Sequence, residues 1–351
     1  MFNMEDQTYK NRPAYISLDT IYSVCKFLKQ GCLDLKLEEL TIGFHGGEPL
    51  MQKKNDFIEM CDIFNGELKS LVKLDFTLQT NAMLIDKEWI EIFYKYKIGV
   101  GVSIDGPKEY HDVDRIDKKG NGTYERVIKG VDVLKNSLLM QEMGNFGLIC
   151  VINPEHNAKK IYRHFVDDIG AKCIDFLLPH YTHDYTLPHT PEAYGLFLCE
   201  LFDEWTSDDN PKIQVRLFLS VLNSFLGGYS YVYGFGPMPI EELPLLSICT
   251  NGEITPTDEF RVMGSIIYNG STVINTTLAD YLKQPLFEKL KSAQINLPKS
   301  CIPCCWNKIC GGGSLNNRFS QSNGFNNASI YCDGLKKFYS TVNDYFERKM
   351  M

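Results

Sequence analysis

The 351-residue sequence has no long apolar run, and none of its segments approaches the roughly 18–20 residues that a membrane-spanning helix needs. Its first residues also lack the charged-then-apolar order of a signal peptide. Basic residues form no run, and 36 Lys and Arg against 44 Asp and Glu give a net charge of −8. Such a charge gives little attraction to phosphate backbones or anionic membranes. These absences predict a cytoplasmic protein with no nucleic-acid or membrane partner.

The overall composition is that of a globular protein. Hydrophobic residues make up 44% and charged residues 23%, so disordered and fibrous classes are excluded. The length is sufficient for two domains. We expect a first domain over residues 1–180, a connector rich in Pro and Gly over 181–245, and a smaller domain over 246–351.

Twelve cysteines are about twice the ordinary number, and in a reducing compartment they favour thiols or metal ligands over disulfides. Six are scattered among apolar residues and are expected in the core: Cys25, Cys32, Cys61, Cys150, Cys173 and Cys199. Four others, Cys301, Cys304, Cys305 and Cys310, fall within ten residues, and Cys332 follows after 21 intervening residues. Thiolates at such spacings can hold zinc or a 4Fe–4S cluster, and the spacing does not distinguish the two.

Residues 17–178 alternate between helix-like and strand-like patterns. Ser17 can cap a first helix, and Gly31 is placed to end it. Leu40, Ile42 and Phe44 then alternate with small or polar residues, which indicates a strand. Four further strands are expected near 74–80, 98–104, 146–152 and 173–178. The order predicts an α/β fold with a parallel sheet, closed as a barrel or left open.

Ligands of parallel α/β proteins bind at the carboxyl ends of the strands. Gly46-Gly47-Glu48-Pro49 ends the first strand, and its glycines allow a ligand to approach the backbone while Glu48 can hold a cationic amine. The alternative is a turn with an exposed acid. Ser103 and Asp105 end the third strand on one face, as would suit a ribose diol.

Together these segments resemble the radical S-adenosylmethionine (radical SAM) superfamily. The matching residues are Gly46-Gly47-Glu48-Pro49, Thr80-Asn81, Ser103-Ile104-Asp105-Gly106-Pro107, His111-Asp112, Arg115 and Gly122-Thr123-Tyr124. The resemblance implies a partial (β/α)6 barrel that binds S-adenosylmethionine. It implies that Glu48 and its glycines contact the methionine amine, Ser103 and Asp105 the ribose, and Arg115 the methionine carboxylate. Asn81, beside Thr80, would belong to the neighbouring polar shell.

The C-terminal cysteines resemble the SPASM extension of radical SAM peptide maturases. The resemblance implies that Cys301, Cys304, Cys310 and Cys332 bind one auxiliary 4Fe–4S cluster, with Cys305 as a bystander. Two cysteines of the full pattern are replaced here by Thr257 and Ser314, which leaves Cys249. One thiolate cannot hold a cluster, so we expect no second auxiliary cluster.

The sequence departs most from the superfamily at its start. Radical SAM enzymes carry a Cys-x3-Cys-x2-Cys loop that holds the cluster next to S-adenosylmethionine, and this chain has no such triplet. Met1 to Tyr9 resemble the segment just downstream of that loop. We therefore expect a truncated gene model or a degraded gene, and a chain that is inactive as it stands.

The resemblance implies an oxidoreductase that modifies a ribosomally made precursor peptide or protein and receives electrons from a flavodoxin or ferredoxin. Asp258 is a candidate catalytic residue, since some relatives carry there an acid proposed to take a proton from the substrate; a surface acid is the alternative. One alternative function is an anaerobic sulfatase maturase, which forms formylglycine. Another is a non-catalytic binding protein whose fold is stabilised by a bound metal ion (a metal-stapled protein).

Overall fold

The computed structural model describes residues 8–144, 146–238 and 246–350. Most of the segment compared above with the region after the cysteine loop, residues 1–7, therefore lies outside the described residues. The end of the predicted connector, residues 239–245, lies outside them as well.

The main sheet is parallel and has six strands in the order of the sequence. Its strands are β1 (Glu39–Phe44), β2 (Lys73–Thr80), β3 (Gly99–Ser103), β4 (Gly147–Val151), β5 (Cys173–Leu177) and β6 (Gln214–Val215). Two short antiparallel strands, β7 (Leu246–Ile248) and β8 (Ile254–Pro256), form a separate ribbon. The predicted α/β class and parallel sheet are confirmed, and five of the six strands were expected from the sequence.

Helices connect the strands and form most of the C-terminal part. Helix α1 (Leu18–Leu35) precedes β1. The helices between β1 and β5 are α2 (Lys54–Leu68), α3 (Lys87–Tyr96), α4 (Lys108–Asp114), α5 (Tyr124–Lys135), α6 (Leu138–Glu142) and α7 (Ala158–Arg163). The later ones are α8 (Pro191–Asp208), α9 (Arg216–Phe225), α10 (Leu278–Tyr281), α11 (Pro285–Ile295), α12 (Asn307–Cys310), α13 (Leu315–Arg318) and α14 (Cys332–Met350). Helix α7 continues as a π-helix over His164–Ile169, and 3₁₀ segments span Thr8–Asn11, Pro49–Met51 and Asp258–Ile267.

The first helix starts as predicted but ends later. The Ser17 hydroxyl accepts a hydrogen bond from the Thr20 amide at 3.1 Å and caps α1. The prediction that Gly31 ends the helix is wrong, because α1 runs on to Leu35 and is capped by Lys36 in the left-handed conformation. Gly31 allows a close approach instead: a Cβ built there would lie 2.4 Å from Leu278 Cδ2 of α10.

Clustering of contacts divides the chain into two compact units. The first comprises Met1–Ser103, Glu125–Phe146 and Pro244–Lys289, and the second comprises Ile104–Tyr124, Gly147–Leu243 and Leu290–Met351. The predicted connector 181–245 contains α8, α9 and the sixth strand. The domain boundaries expected from the sequence stay a prediction.

The core of the first unit is aromatic. Phe57 of α2 packs edge-on against Trp89 of α3 with ring centroids 5.1 Å apart, and Phe44 of β1 lies 4.6 Å from Phe57. Burial of such side chains stabilises a fold by about 1.5–3 kcal/mol each. Asp86 caps α3 by accepting a hydrogen bond from the Trp89 amide at 2.9 Å. These contacts fix β1, whose carboxyl end carries the glycine loop.

In the second unit, α8 packs against α14, the helix that begins at Cys332. The backbones approach so closely that a Cβ at Gly195 would lie 2.3 Å from the Gly334 carbonyl oxygen. Phe202 of α8 stacks edge-on with Phe338 of α14 at 6.0 Å. This packing fixes the start of α14 beside the other cysteines of the unit.

Five of the six scattered cysteines are buried as expected, and Cys173 is half-buried. Within residues 8–144, 146–238 and 246–350, no helix is both long enough and apolar enough to span a bilayer.

Candidate functional site

The Glu48 carboxylate is held by three donors at the end of β1. Its Oε1 accepts from the Thr80 hydroxyl at 2.7 Å and from the Leu50 amide at 3.1 Å, and its Oε2 accepts from the Asn81 amide at 2.9 Å. Thr80 is buried and stands at the end of β2, so the neighbouring strand fixes the carboxylate. The negative charge is therefore held in place before any ligand binds.

The two glycines before Glu48 leave space around the backbone. Gly46 has φ 111°, in the region that favours glycine, and a Cβ at Gly46 or Gly47 would meet nothing within 4 Å. Pro49 starts the short 3₁₀ turn that follows. The loop thus presents an open backbone beside a fixed carboxylate, an arrangement that fits an amine-bearing ligand.

In the same unit, the Ser103 hydroxyl at the end of β3 is positioned by Gln79. The Gln79 side-chain amide donates to Ser103 Oγ at 2.7 Å, and Ser103 is buried. Gln79 stands beside the Thr80-Asn81 motif, but a contact between neighbouring strands could not be read from the sequence.

In the second unit, Asp105 forms an ion pair with Arg115. Arg115 Nε donates to Oδ2 at 2.5 Å and its Nη2 donates to Oδ1 at 3.1 Å, while the Val151 amide donates to Oδ1 at 3.0 Å. The family resemblance implied separate roles for these two residues, and the structure pairs them. Asp105 is buried, so the pair is stronger than a surface ion pair.

His111 supports the loop that carries this pair. It is fully buried, its Nδ1 lies 3.3 Å from the Asp105 amide, and its Nε2 lies 3.0 Å from the Thr123 hydroxyl. Burial, and next the positive charge of Arg115, lower the pKa of His111 to about 4. The imidazole is therefore neutral at pH 7 and can accept the amide hydrogen bond through Nδ1.

The candidate catalytic acid Asp258 lies in the first unit beside His45. Its Oδ2 is 3.2 Å from His45 Nδ1, at the residue that directly follows β1. Both side chains are partly exposed, 46% for His45 and 41% for Asp258. The sequence motif contains His45, but only the fold reveals that it faces Asp258.

The four predicted cluster ligands lie around one cavity in the second unit. Cys301, Cys304, Cys310 and Cys332 line it together with Trp306, Lys336 and Tyr339. Burial raises the pKa of the Cys310 thiol to about 11, and burial also raises the pKa of the Cys301 and Cys332 thiols. The positive charge of Lys336 opposes the rise in the pKa of Cys332. The positive charge of Arg318 opposes the rise in the pKa of Cys301.

Arg318 brings an unusual positive charge close to this cavity. It is 1% exposed, and its guanidinium donates to backbone carbonyls of Ala293, Asn296 and Phe325, with no carboxylate partner among the described residues. A buried cation without a counter-ion is costly. Thiolate ligands of an iron–sulfur cluster would supply negative charge, so the surroundings of the four thiols fit such a group.

The side chains of the described residues are not arranged for a single metal ion. No group of three or more His, Cys, Asp or Glu, the four cavity cysteines included, is placed to hold one. Cys305 is exposed, Cys249 is buried with Arg261 Nη2 3.8 Å from its sulfur, and Ser314 contacts Asn316.

The chain is similar to known proteins in both sequence and fold. Residues 28–157 match the radical SAM superfamily. The cysteine-type anaerobic sulfatase-maturating enzyme of Clostridium perfringens is 27% identical over 307 residues, which cover 85% of this chain and 80% of that enzyme. The serine-type enzyme of Bacteroides thetaiotaomicron is 25% identical over 364 residues, which cover 97% and 84%. The solved structure of native anSMEcpe with bound AdoMet and Kp18Cys peptide superimposes with a TM-score of 0.80 at 22% identity, covering 95% of this chain and 90% of that one.

Residues 28–157 thus form a radical SAM domain, and this domain together with the maturase relatives indicates an enzyme. The protein is homologous to the anaerobic sulfatase-maturating enzymes, and it shares their fold. The radical SAM class implies S-adenosylmethionine and a 4Fe–4S cluster as cofactors.

Proposed function

We propose that the protein is a radical SAM maturase that modifies a carbon of a ribosomally made peptide or protein through a 5′-deoxyadenosyl radical. The observation that carries the proposal is the Glu48 carboxylate, held by three donors beside the open Gly46-Gly47 backbone. A fixed carboxylate next to free backbone suits the amine of S-adenosylmethionine. A reduced 4Fe–4S cluster, when bound, supplies the electron that cleaves the sulfonium.

The remaining cofactor contacts are assigned by chemistry. Ser103, held by Gln79, and Asp105 would bind the ribose hydroxyls, and Arg115 would bind the methionine carboxylate. Arg115 uses Nε and Nη2 on Asp105, which leaves Nη1 for a second anion. The pairing therefore fixes the orientation of the guanidinium and leaves one amino group for the cofactor.

The four cavity cysteines would bind one auxiliary 4Fe–4S cluster, with the positive charge of Arg318 close by. No second auxiliary cluster is proposed, because Thr257 and Ser314 have no thiol group and the one thiolate of Cys249 cannot hold a cluster alone. Electrons would come from a flavodoxin or ferredoxin, and the cytoplasm is the compartment that suits these oxygen-sensitive groups.

The most specific form of the proposal is formylglycine formation on a sulfatase. It is favoured by the two maturase relatives, which cover 85% and 97% of this chain. Oxidation of a Ser side chain to the aldehyde would remove one hydrogen atom, transferred to the 5′-deoxyadenosyl radical, and then one proton and one electron. The same loss from Cys would give a thioaldehyde, which water would hydrolyse to formylglycine with release of H₂S. Asp258 would take the proton, and an iron–sulfur cluster would take the electron. The replaced cysteines at Thr257 and Ser314 favour instead a maturase acting on another precursor peptide.

The rival from another class is a metal-stapled binding protein without catalysis. It would hold zinc through the same cysteines, although no three of them are placed around a single ion among the described residues. It would need neither Glu48 nor Ser103 in a fixed geometry. The hydrogen bonds that fix both side chains therefore favour the enzyme.

The decisive experiment uses the chain fused to an N-terminal segment that carries a Cys-x3-Cys-x2-Cys loop, reconstituted anaerobically with iron and sulfide. It is incubated with S-adenosylmethionine, dithionite and an 18-residue sulfatase-motif peptide with Cys at its centre, then with matched Ser and Ala peptides. Mass spectrometry identifies formylglycine or another modified residue. Release of 5′-deoxyadenosine without a peptide product would support the maturase class and reject the sulfatase substrate. No 5′-deoxyadenosine despite full iron loading would reject the proposal.

A further inference from the structure

Tyr339 projects from α14 toward the four-cysteine cavity. Cys332, Lys336 and Tyr339 are spaced i, i+4 and i+7 on this helix, so they lie on one face, and all three line the cavity. Tyr339 is 1% exposed, so its hydroxyl has no access to bulk water.

The hydroxyl of Tyr339 is an orphaned donor. It has no hydrogen-bond partner of normal geometry among the described residues. Other buried tyrosines of this chain are satisfied: Tyr162 donates to Asp208 at 2.9 Å and Tyr331 to the Pro179 carbonyl at 2.8 Å. A buried hydroxyl without a partner costs about 1–3 kcal/mol, so such groups are rare unless they serve a ligand.

The cavity that Tyr339 lines is also lined by the sulfur-bearing residues Cys301, Cys304, Cys310 and Cys332. A neutral thiol is a weak acceptor, whereas a thiolate bound to iron carries negative charge and accepts strongly. The orphaned donor therefore gains its partner only when one of these cysteines is a cluster ligand.

We propose that Tyr339 is a positioning residue that donates a hydrogen bond to a cysteine sulfur of the bound cluster and thereby sets the reduction potential of the auxiliary cluster. The proposal rests on the proposed function, in which the four cysteines hold a 4Fe–4S cluster. Reduction adds one electron to the cluster, and a donor aimed at its ligand stabilises the added charge. Hydrogen bonds to the sulfurs are among the features that set such potentials.

The test is Tyr339→Phe, which keeps the ring and removes only the hydroxyl, in the anaerobically reconstituted full chain. Tyr162→Phe is the matched control, because it removes a buried hydroxyl bonded to Asp208 in the same unit. Iron content is measured first, and the midpoint potential of the cluster is then followed by electron paramagnetic resonance during a redox titration.

We expect the same iron content in both variants and a lower midpoint potential in Tyr339→Phe alone. A tenfold decrease in the equilibrium constant for reduction corresponds to a decrease of about 59 mV in the midpoint potential of a one-electron couple. An unchanged midpoint at full iron content would overturn the role of Tyr339. Absence of iron from the wild-type chain would instead reject the cluster itself.

A second measurement covers the case in which Tyr339→Phe does not load iron. The reduced wild-type cluster is examined by electron–nuclear double resonance in H₂O and in D₂O. A strongly coupled exchangeable proton whose coupling changes when the tyrosines are replaced by 3,5-difluorotyrosine, a stronger hydrogen-bond donor, supports the hydrogen bond. Lack of any exchangeable proton coupling would overturn it.

Discussion

His45 Nδ1 lies 3.2 Å from Asp258 Oδ2, which joins the residue after β1 to the first residue of the 3₁₀ segment Asp258–Ile267. The hydrogen bond with Asp258 raises the pKa of His45, while desolvation and the positive charge of Arg261 oppose the rise and Glu48 adds to it. A larger fraction of His45 is therefore protonated at a given pH than in an unpaired histidine.

Replacement of the partner should reverse this shift. We expect Asp258→Asn to lower the pKa of His45, because the neutral amide stabilises the imidazolium less than the carboxylate does. The measurement is a pH titration of the His45 ring proton by nuclear magnetic resonance. Since the raised pKa stabilises the folded chain at low pH, this contribution is lost as the pH rises through the folded-state pKa, and Asp258→Asn should remove that dependence. Asp280→Asn, which replaces another acid of the same unit, is the control; an equal shift in both variants would contradict the assignment.

Two helical glycines of the first unit, Gly31 and Gly66, should respond oppositely to alanine. At Gly31 a Cβ would lie 2.4 Å from Leu278 Cδ2 and 2.7 Å from its Cβ, so we expect Gly31→Ala to destabilise the fold by about 1–3 kcal/mol. Gly66, inside α2, has nothing within 4 Å of its Cβ position. Gly66→Ala should stabilise the fold by about 0.5–1 kcal/mol, since alanine favours helix. Urea denaturation of both variants checks the prediction, and destabilisation by both would indicate that the close approach of α10 is not the cause.

These glycines show what sequence patterns reveal and what they conceal. The parallel sheet was predictable because apolar runs and turn residues alternate along the chain, as with Leu40, Ile42 and Phe44 before Gly46-Gly47. Gly31 was misread because a glycine that ends a helix and one that admits a neighbouring helix look alike in sequence. The difference depends on Leu278, which lies far along the chain.

The candidate site likewise contains residues that local motifs identify and contacts that such motifs do not reveal. Glu48, Ser103 and the four cysteines belong to local motifs, so the resemblance located them. Gln79 on Ser103 and His45 on Asp258 are contacts between separate elements, which no local pattern predicts. Tyr339 had a signal that was overlooked: it is seven residues after Cys332, on the same face of one helix.

Metal content provides the third prediction. Anaerobic reconstitution of the chain should give about four irons and four sulfides, bound by the cavity cysteines. Changing Cys301 and Cys310 to Ala should abolish the iron, whereas Cys305→Ala, at an exposed thiol, should retain it. The measurement is iron and sulfide analysis with the visible absorption spectrum. Zinc after anaerobic purification would favour the metal-stapled rival, and about eight irons would show that Thr257 and Ser314 do not prevent a second cluster.

Cleavage of S-adenosylmethionine provides the fourth prediction. The 351-residue chain contains no Cys-x3-Cys-x2-Cys, so it should release no 5′-deoxyadenosine above background when reduced with dithionite. Fusion to a segment that supplies this triplet should restore cleavage, as measured by liquid chromatography. Turnover by the unextended chain would show that another set of ligands holds the reactive cluster.

In the fused protein, Glu48 can be tested directly as a ligand of the cofactor amine. Glu48→Gln keeps the size of the side chain but removes the charge that the Thr80 hydroxyl and the Asn81 amide hold in place. A charge-assisted hydrogen bond contributes about 1.5–3 kcal/mol, so S-adenosylmethionine should bind about ten- to a hundredfold more weakly. Glu59→Gln, at an exposed position of α2, should leave the affinity unchanged. Equal affinity in the Glu48→Gln and wild-type proteins would mean that the fixed carboxylate at the end of β1 serves the loop itself and not the cofactor.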